Sequence, residues 1–192
     1  MERARLAGQA AVSGETPADE LQDFDALVRL YRPRVFRFLL ASLRNRETAE
    51  NLTQDCFIRA YRARSQFRGA SSPATWVMKI AANLARNHES NSRLKFWRRS
   101  LHSDADVAEL GRAVPDGQHS PEELALIREQ VQAIWGAAAV LPLRQRTVFL
   151  LRFVEDLDLL EIAEATGMKE GTVKAHLFRA LQSVRARLEG TK

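Results

Sequence analysis

Residues 158–188 carry the feature that most restricts what this chain can fold into. Asp158 precedes the run Leu159-Leu160-Glu161-Ile162-Ala163-Glu164-Ala165-Thr166, Gly167 follows it, and a second amphipathic run extends to Leu188. Asp158 with Glu161 three residues on is a capping-box pair: each side chain can satisfy a backbone N–H that a starting helix leaves free. Ile162 and Ala163 mark the packed face of a short helix, and Gly167 suits the left-handed turn that ends one. Val173, Leu177 and Leu181 recur at four-residue steps and are expected to bury the inner face of the second helix. Lys174, His176, Phe178 and Arg179 fall on or near the remaining face, with Arg185 and Arg187 beyond. Two helices about a glycine turn, the second basic and long enough to enter a major groove, predict a helix-turn-helix and duplex DNA as partner. A plain amphipathic hairpin with a solvated basic face would not require the turn glycine, the buried positions and the basic face to coincide.

The upstream chain is helical in pattern throughout. Residues 1–20 are small and polar, and read as a disordered tail. Phe24, Leu27, Val28, Tyr31, Val35, Phe36, Leu39, Leu40 and Leu43 recur at three- and four-residue steps, and Pro33 is expected to kink or split that helix. A second helix spans about 47–64, with Leu52, Cys56, Phe57, Ala60 and Tyr61 inward. Ser72 and Pro73 form the cap and first residue of a third, which carries Trp76, Val77, Ile80, Ala81 and Leu84 before the basic stretch 86–99. Residues 100–119 lose the periodicity. Gly111, Pro115 and Gly117 punctuate them, and Asp104, Asp106, Glu109 and Asp116 face the lone basic Arg112, as in an acidic linker. Ser120-Pro121-Glu122-Glu123 opens the next helix with another capping box, and Leu124, Ile127, Val131, Ile134 and Trp135 form its stripe. Leu141-Pro142 separates it from a helix that turns Val148, Leu151 and Phe153 or Val154 inward. The expected fold class is all-α: two small helical domains, 21–99 and 120–190, joined by a flexible linker over 100–119.

Charge and residue usage narrow the function classes. The chain has 192 residues and a net charge of +5, which suits a nucleic-acid partner. Its single cysteine, Cys56, rules out an internal disulfide and a Cys-rich zinc site, and fits a reducing, cytoplasmic setting. Cys56 falls on the inner face of a helix, where an inert thiol is expected. No apolar run approaches the roughly 18 residues of a membrane span, and no signal peptide is evident. The histidines at 88, 102, 119 and 176 are scattered without metal-ligand spacing, and there is no glycine-rich phosphate loop. Neither an enzyme, a metal, a cofactor nor a small-molecule substrate is expected. In the N-terminal half, aromatic, amide and basic side chains mix around Trp76, Asn83, Asn87 and the run Arg93, Lys95, Phe96, Trp97, Arg98, Arg99. That mixture suits single-stranded nucleic acid, which stacks its bases and pairs its phosphates. A core tryptophan and a solvated helix end explain the same residues.

Glu50-Asn51-Leu52-Thr53-Gln54-Asp55-Cys56-Phe57-Ile58-Arg59-Ala60-Tyr61, with Thr75-Trp76-Val77-Met78-Lys79-Ile80-Ala81-Ala82-Asn83, resembles region 2 of bacterial sigma factors. Leu141-Pro142, Arg146, Glu161-Ile162-Ala163, Gly171-Thr172-Val173-Lys174 and Phe178-Arg179-Ala180 resemble their region 4. Two regions in a short chain resemble the extracytoplasmic-function (ECF, group 4) subfamily of the sigma-70 family. The resemblance implies a helical region 2 bundle over 21–99 that binds core RNA polymerase and melts the −10 element, and a region 4 helix-turn-helix over 120–190 that reads the −35 element. It implies polymerase contacts to the β′ clamp helices through Glu50, Asn51, Gln54 and Asp55, contact with the β subunit, and an anti-sigma factor as a further partner. For −10 DNA it implies Phe67, Arg68, Ser71, Trp76, Lys79, Asn83 and Asn87, since a base drawn out of the stack needs an aromatic or amide-lined receptor. For −35 DNA it implies Thr172, Lys174, His176, Phe178 and Arg179. The linker acids can mimic an RNA backbone or simply keep a spacer solvated. Lys169 stands where a capping serine is common, and Glu155-Asp156-Leu157-Asp158 replaces a glycine-containing turn.

Two other readings compete. Thr172-Val173-Lys174-Ala175-His176-Leu177 also resembles the output domain of response regulators, as in a two-domain helix-turn-helix regulator that is not a sigma subunit. Such proteins normally carry strands in the other half, and none is evident here. An adaptor that binds polymerase without DNA would have no use for the basic recognition face.

Overall fold

The structure, a computed structural model, describes residues 23–67, 69–96 and 120–190. The tail at 1–20, Arg68 and the acidic linker at 100–119 lie outside the described residues, as do Trp97, Arg98 and Arg99. The described residues form seven α-helices and one short 3-10 turn: α1 (Phe24–Leu43), α2 (Arg46–Ala63), the turn Arg64–Gln66, α3 (Pro73–Phe96), α4 (Pro121–Ala139), α5 (Leu143–Phe153), α6 (Leu159–Thr166) and α7 (Glu170–Glu189).

Local chemistry sets most of the helix ends. Asp23 caps α1 by accepting from the Ala26 N–H at 2.9 Å, and Asn45 caps α2 by accepting from Thr48 at 2.8 Å. Between them Arg44 takes a left-handed conformation and its N–H returns to the Leu40 carbonyl at 2.8 Å. Ser72 accepts from the Thr75 N–H at 3.1 Å, as its place before Pro73 predicts. Both expected capping boxes are present, Ser120 with Glu123 and Asp158 with Glu161. Pro33 does not split α1, which runs through it unbroken. The proline sits on the exposed side, where its missing N–H and its ring meet solvent rather than a packed neighbour.

α1, α2 and α3 pack on one another around Val35, Phe38, Leu39, Cys56, Val77 and Met78, with Phe38 and Met78 fully buried. Cys56 donates its thiol toward the Val77 carbonyl (3.7 Å), and burial, helped by the Asp55 charge, pushes its pKa up to about 12. α4, α5 and α6 each pack against α7, around Val148, Leu151, Ile162, Val173 and Ala180. The two groups of helices also touch. α3 lies along α6, and α1 meets α5 and the end of α4, so the buried apolar residues form one continuous cluster.

Two inward assignments change, and one open alternative is resolved. Tyr61 is half exposed, its ring edge-on to Phe24 at 5.2 Å and under the Arg64 guanidinium. Leu181 is 41% exposed, while Ala180 and Val184 bury the inner line of α7. Between Phe153 and Val154, the latter turns inward and Phe153 stays exposed. All three exposed residues lie on helix flanks that line open hollows, where spacing alone does not separate a core face from an uncovered one.

Candidate nucleic-acid interface

The helix-turn-helix follows from its own sequence. Asp158 accepts from the Leu160 and Glu161 amides, both at 2.8 Å, and Glu161 Oε2 accepts from the Asp158 N–H at 2.9 Å. Thr166 returns its hydroxyl to the Ile162 carbonyl at 2.6 Å. Gly167 then takes φ +70°, which costs an L side chain about 1–2 kcal/mol. A Cβ added there would meet nothing within 4 Å, so the cost lies wholly in the backbone. Gly167→Ala should therefore destabilise the C-terminal half by about 1–2 kcal/mol in urea unfolding, without repacking. An unchanged midpoint would mean the turn tolerates a different backbone path.

α7 starts without a side-chain cap, as Lys169 in the capping position implies. Val173 is fully buried, which turns Thr172, Lys174, Phe178 and Arg179 outward, with Phe178 62% exposed. Lys174 pairs with Glu170 one turn back at 2.6 Å. Such exposed i, i+4 pairs contribute little, so a phosphate can take the ammonium over. His176 is half-buried, with Nδ1 turned inward and unpartnered. Burial, then the positive charges of Arg179 and Arg144, hold its pKa below the usual histidine value, so near neutral pH the ring is uncharged.

The N-terminal candidates spread over α3 and the loop before it. Phe67 packs its ring against Trp76 at a tilt of 54°, with centroids 5.3 Å apart, and both residues are half-buried. Trp76 is thus neither a plain core residue nor a free platform. Ser71 is half-buried in the loop, and Asn87 is exposed. Lys79 and Asn83 lie against the C-terminal half: Lys79 Nζ is 3.9 Å from Glu164 of α6, and Asn83 borders a small void closed by Thr147, Thr166 and Met168. Asn83 Oδ1 accepts from Arg86 at 2.7 Å, and Arg86 also reaches the Thr166 carbonyl at 3.4 Å.

Glu50, Asn51 and Gln54 are exposed on α2, and Asp55 is half-buried. Glu50 is bonded by Arg46 and Asp55 by Arg59, each at 2.9 Å. Sequence reasoning missed the apolar side of this surface. Ile58 and Tyr61, each half exposed, line an open hollow with Gln54, Phe24 and Val28. The signal was Ile58, a large apolar residue out of step with the buried positions Cys56, Phe57 and Ala60. Thr75 was also missed; it is fully buried, and its hydroxyl donates to Glu161 Oε1 at 2.8 Å.

Among the described residues no group of His, Cys, Asp or Glu can hold a metal, and no helix is long and apolar enough to cross a membrane. A helix-turn-helix with a basic outward face, beside a three-helix unit bearing aromatic and amide side chains, defines a helical DNA-binding protein. Comparisons with known proteins narrow that class. Residues 27–93 match Sigma-70 region 2, and residues 132–184 match Sigma-70, region 4. The RNA polymerase sigma-H factor of Pseudomonas aeruginosa is 32% identical over 163 residues, covering 84% of this chain and 83% of that protein. The ECF RNA polymerase sigma-E factor of Escherichia coli is 30% identical over 184 residues, covering 94% and 93%. The fold is also that of the sigma factor RpoE from Bartonella quintana, solved with the anti-sigma factor NepR (TM-score 0.66, 20% identity, 88% of this chain and 98% of that one). The chain belongs to the sigma-70 family, as an ECF sigma factor.

Proposed function

We propose that this sigma factor directs promoter-specific initiation by dividing the work between its halves. α2 offers Glu50, Asn51, Gln54 and Asp55 to basic helices of the polymerase β′ subunit. The loop and α3, through Phe67, Arg68, Ser71, Trp76, Lys79, Asn83 and Asn87, melt and hold the −10 element. α7 reads the −35 duplex through Thr172, Lys174, Phe178 and Arg179, with His176 at its margin. The observation that carries this reading is the pairing of an exposed basic recognition helix with an aromatic–amide surface on a second helical unit of the same chain. A conventional regulator needs only the first. Contact with the β subunit and control by an anti-sigma factor belong to the same reading, as do a cytoplasmic location and the lack of catalysis by the chain itself.

Mixed with core polymerase and a genomic promoter pool, the chain should give discrete transcript starts that core alone does not. No stimulation on any fragment would overturn the reading. Arg179→Ala should weaken −35 binding by about 1–3 kcal/mol if the guanidinium bonds two acceptors of a guanine. An unchanged promoter preference would remove Arg179 from base reading.

A further inference from the structure

His176 stands in a corner of positive charge on the recognition helix. Its ring is half-buried with Nδ1 turned inward and unpartnered, so Nε2 is the nitrogen on the outer side. Arg179 follows three residues later on α7, about one turn on and so on the same side. From the neighbouring helix comes Arg144, exposed in the first turn of α5. That turn starts behind Pro142 with no side-chain cap, and its free amides and positive helix end add to the field. The charges that act on the ring are those of Arg179 and Arg144. α4 and α6, the other helices packed on α7, add none, and no carboxylate is among them.

Two guanidiniums and an imidazole, gathered from two helices without an acid between them, suit a group with a negative charge and several acceptor oxygens. A backbone phosphate of duplex DNA is such a group. Lys174 is placed differently, since Glu170 already holds its ammonium at 2.6 Å. Arg144 belongs to neither helix of the helix-turn-helix, so it widens the −35 surface beyond α7.

We infer that Arg144 and His176 hold one backbone phosphate at the edge of the −35 face, beside Arg179, and that His176 binds a proton there together with the DNA. The corner rests on the sigma-factor reading for the identity of the duplex. In the free chain, burial and two like charges keep the ring neutral. Duplex DNA carries one negative charge per ~1.7 Å of its axis, so docking engages both guanidiniums and turns a positive surrounding into a negative one. An anion beside an imidazole favours its charged form. The bound state then holds one proton more than the free state, and binding must strengthen as pH falls through the histidine range. The arginines stay charged throughout that range, and the histidines at 88, 102 and 119 lie outside the helix-turn-helix, so this dependence belongs to His176.

Proton linkage and salt dependence test the two residues separately. Holoenzyme made with wild type or with His176→Gln is titrated with a duplex selected from the genomic promoter pool. The ratio of their affinities should move in favour of wild type by about three-fold or more between about pH 8 and about pH 6, and by no more than about ten-fold per pH unit, the limit for one proton. His176→Arg, charged at every pH, should keep the low-pH affinity throughout. Arg144→Ala should lower the slope of log affinity against log salt by about one. In the free chain the same variant should move the His176 titration, followed by proton NMR, to higher pH, because one of the two repelling charges is gone. A ratio that stays constant with pH would remove the proton from the interface, and an unchanged salt slope in Arg144→Ala would remove the phosphate. Either result overturns the corner. If the holoenzyme selects no duplex at any pH, the sigma-factor reading fails instead, and the same comparisons on the chain alone with random duplex DNA decide the corner.

Discussion

Replacing Arg34 by alanine is expected to separate the two halves of the molecule without unfolding either. Arg34 is the hydrogen-bond partner of Glu155 Oε2, while Oε1 of the same carboxylate is buried with no partner. Burial pushes the Glu155 carboxyl above the usual carboxylate range, against the hydrogen bond and charge of Arg34 and the charge of Arg37. Removing one member of a buried pair costs about 3–5 kcal/mol, because the other is left charged and dry. Glu155 lies at the contact between the halves, so parting them returns it to water and escapes most of that cost. Small-angle scattering should show a larger radius of gyration for Arg34→Ala at neutral pH, with unchanged helical content. Glu155→Gln should stay closed, since an amide oxygen can still accept from Arg34 and no charge is buried.

The pH dependence has a defined sign. A carboxyl whose pKa is higher in the closed form than in the open one takes up its proton on closing, so acid favours closure and rising pH opposes it. In Arg34→Ala the carboxyl loses the partner that lowered its pKa and rises further. The variant should therefore be open at pH 7.5 and close again on acidification toward the carboxylate range, as wild type remains closed throughout. Scattering identical to wild type at pH 7.5 would mean that Glu155 is not held by Arg34.

Phe38→Ala should be the most damaging single change to the N-terminal helices. The ring is fully buried among α1, α2 and α3, and truncating such a side chain costs about 3–5 kcal/mol from lost burial and the cavity left behind. Domains of this size hold only about 5–15 kcal/mol in total, so urea unfolding followed by circular dichroism should show a much earlier transition. Leu30→Ala, at a position 62% exposed on the same helix, should stay within about 0.5 kcal/mol of wild type. Equal effects of the two would contradict the burial pattern of α1.

The parts of this structure that local chemistry decides were legible in the chain. The capping pairs Ser120/Glu123 and Asp158/Glu161, the left-handed Gly167 and the uncapped Lys169 all depend on neighbours within a few residues. So does the inward turn of Val173, which leaves Lys174, Phe178 and Arg179 outside. What periodicity could not supply is anything between helices. Arg34 and Glu155 stand 121 residues apart, and neither is apolar, so no stripe points from one to the other. Tyr61 and Leu181 fit their stripes and yet face open hollows, because spacing reports a helix face and not what covers it. The same blindness hid the most consequential contact. Lys79 and Asn83 read as DNA ligands and Glu161 as a capping residue, and nothing local says that these residues meet.

Cys56 gives this molecule a built-in gauge of its own folding. Its thiol is fully buried under α3, and that burial holds it protonated well above neutral pH. Reaction with an alkylating reagent thus waits for α2 and α3 to come apart far enough to admit water. The rate of that reaction converts into the free energy of a local opening, region by region rather than for the whole chain. Because the chain has no other cysteine, the measurement needs no mutation and no background correction.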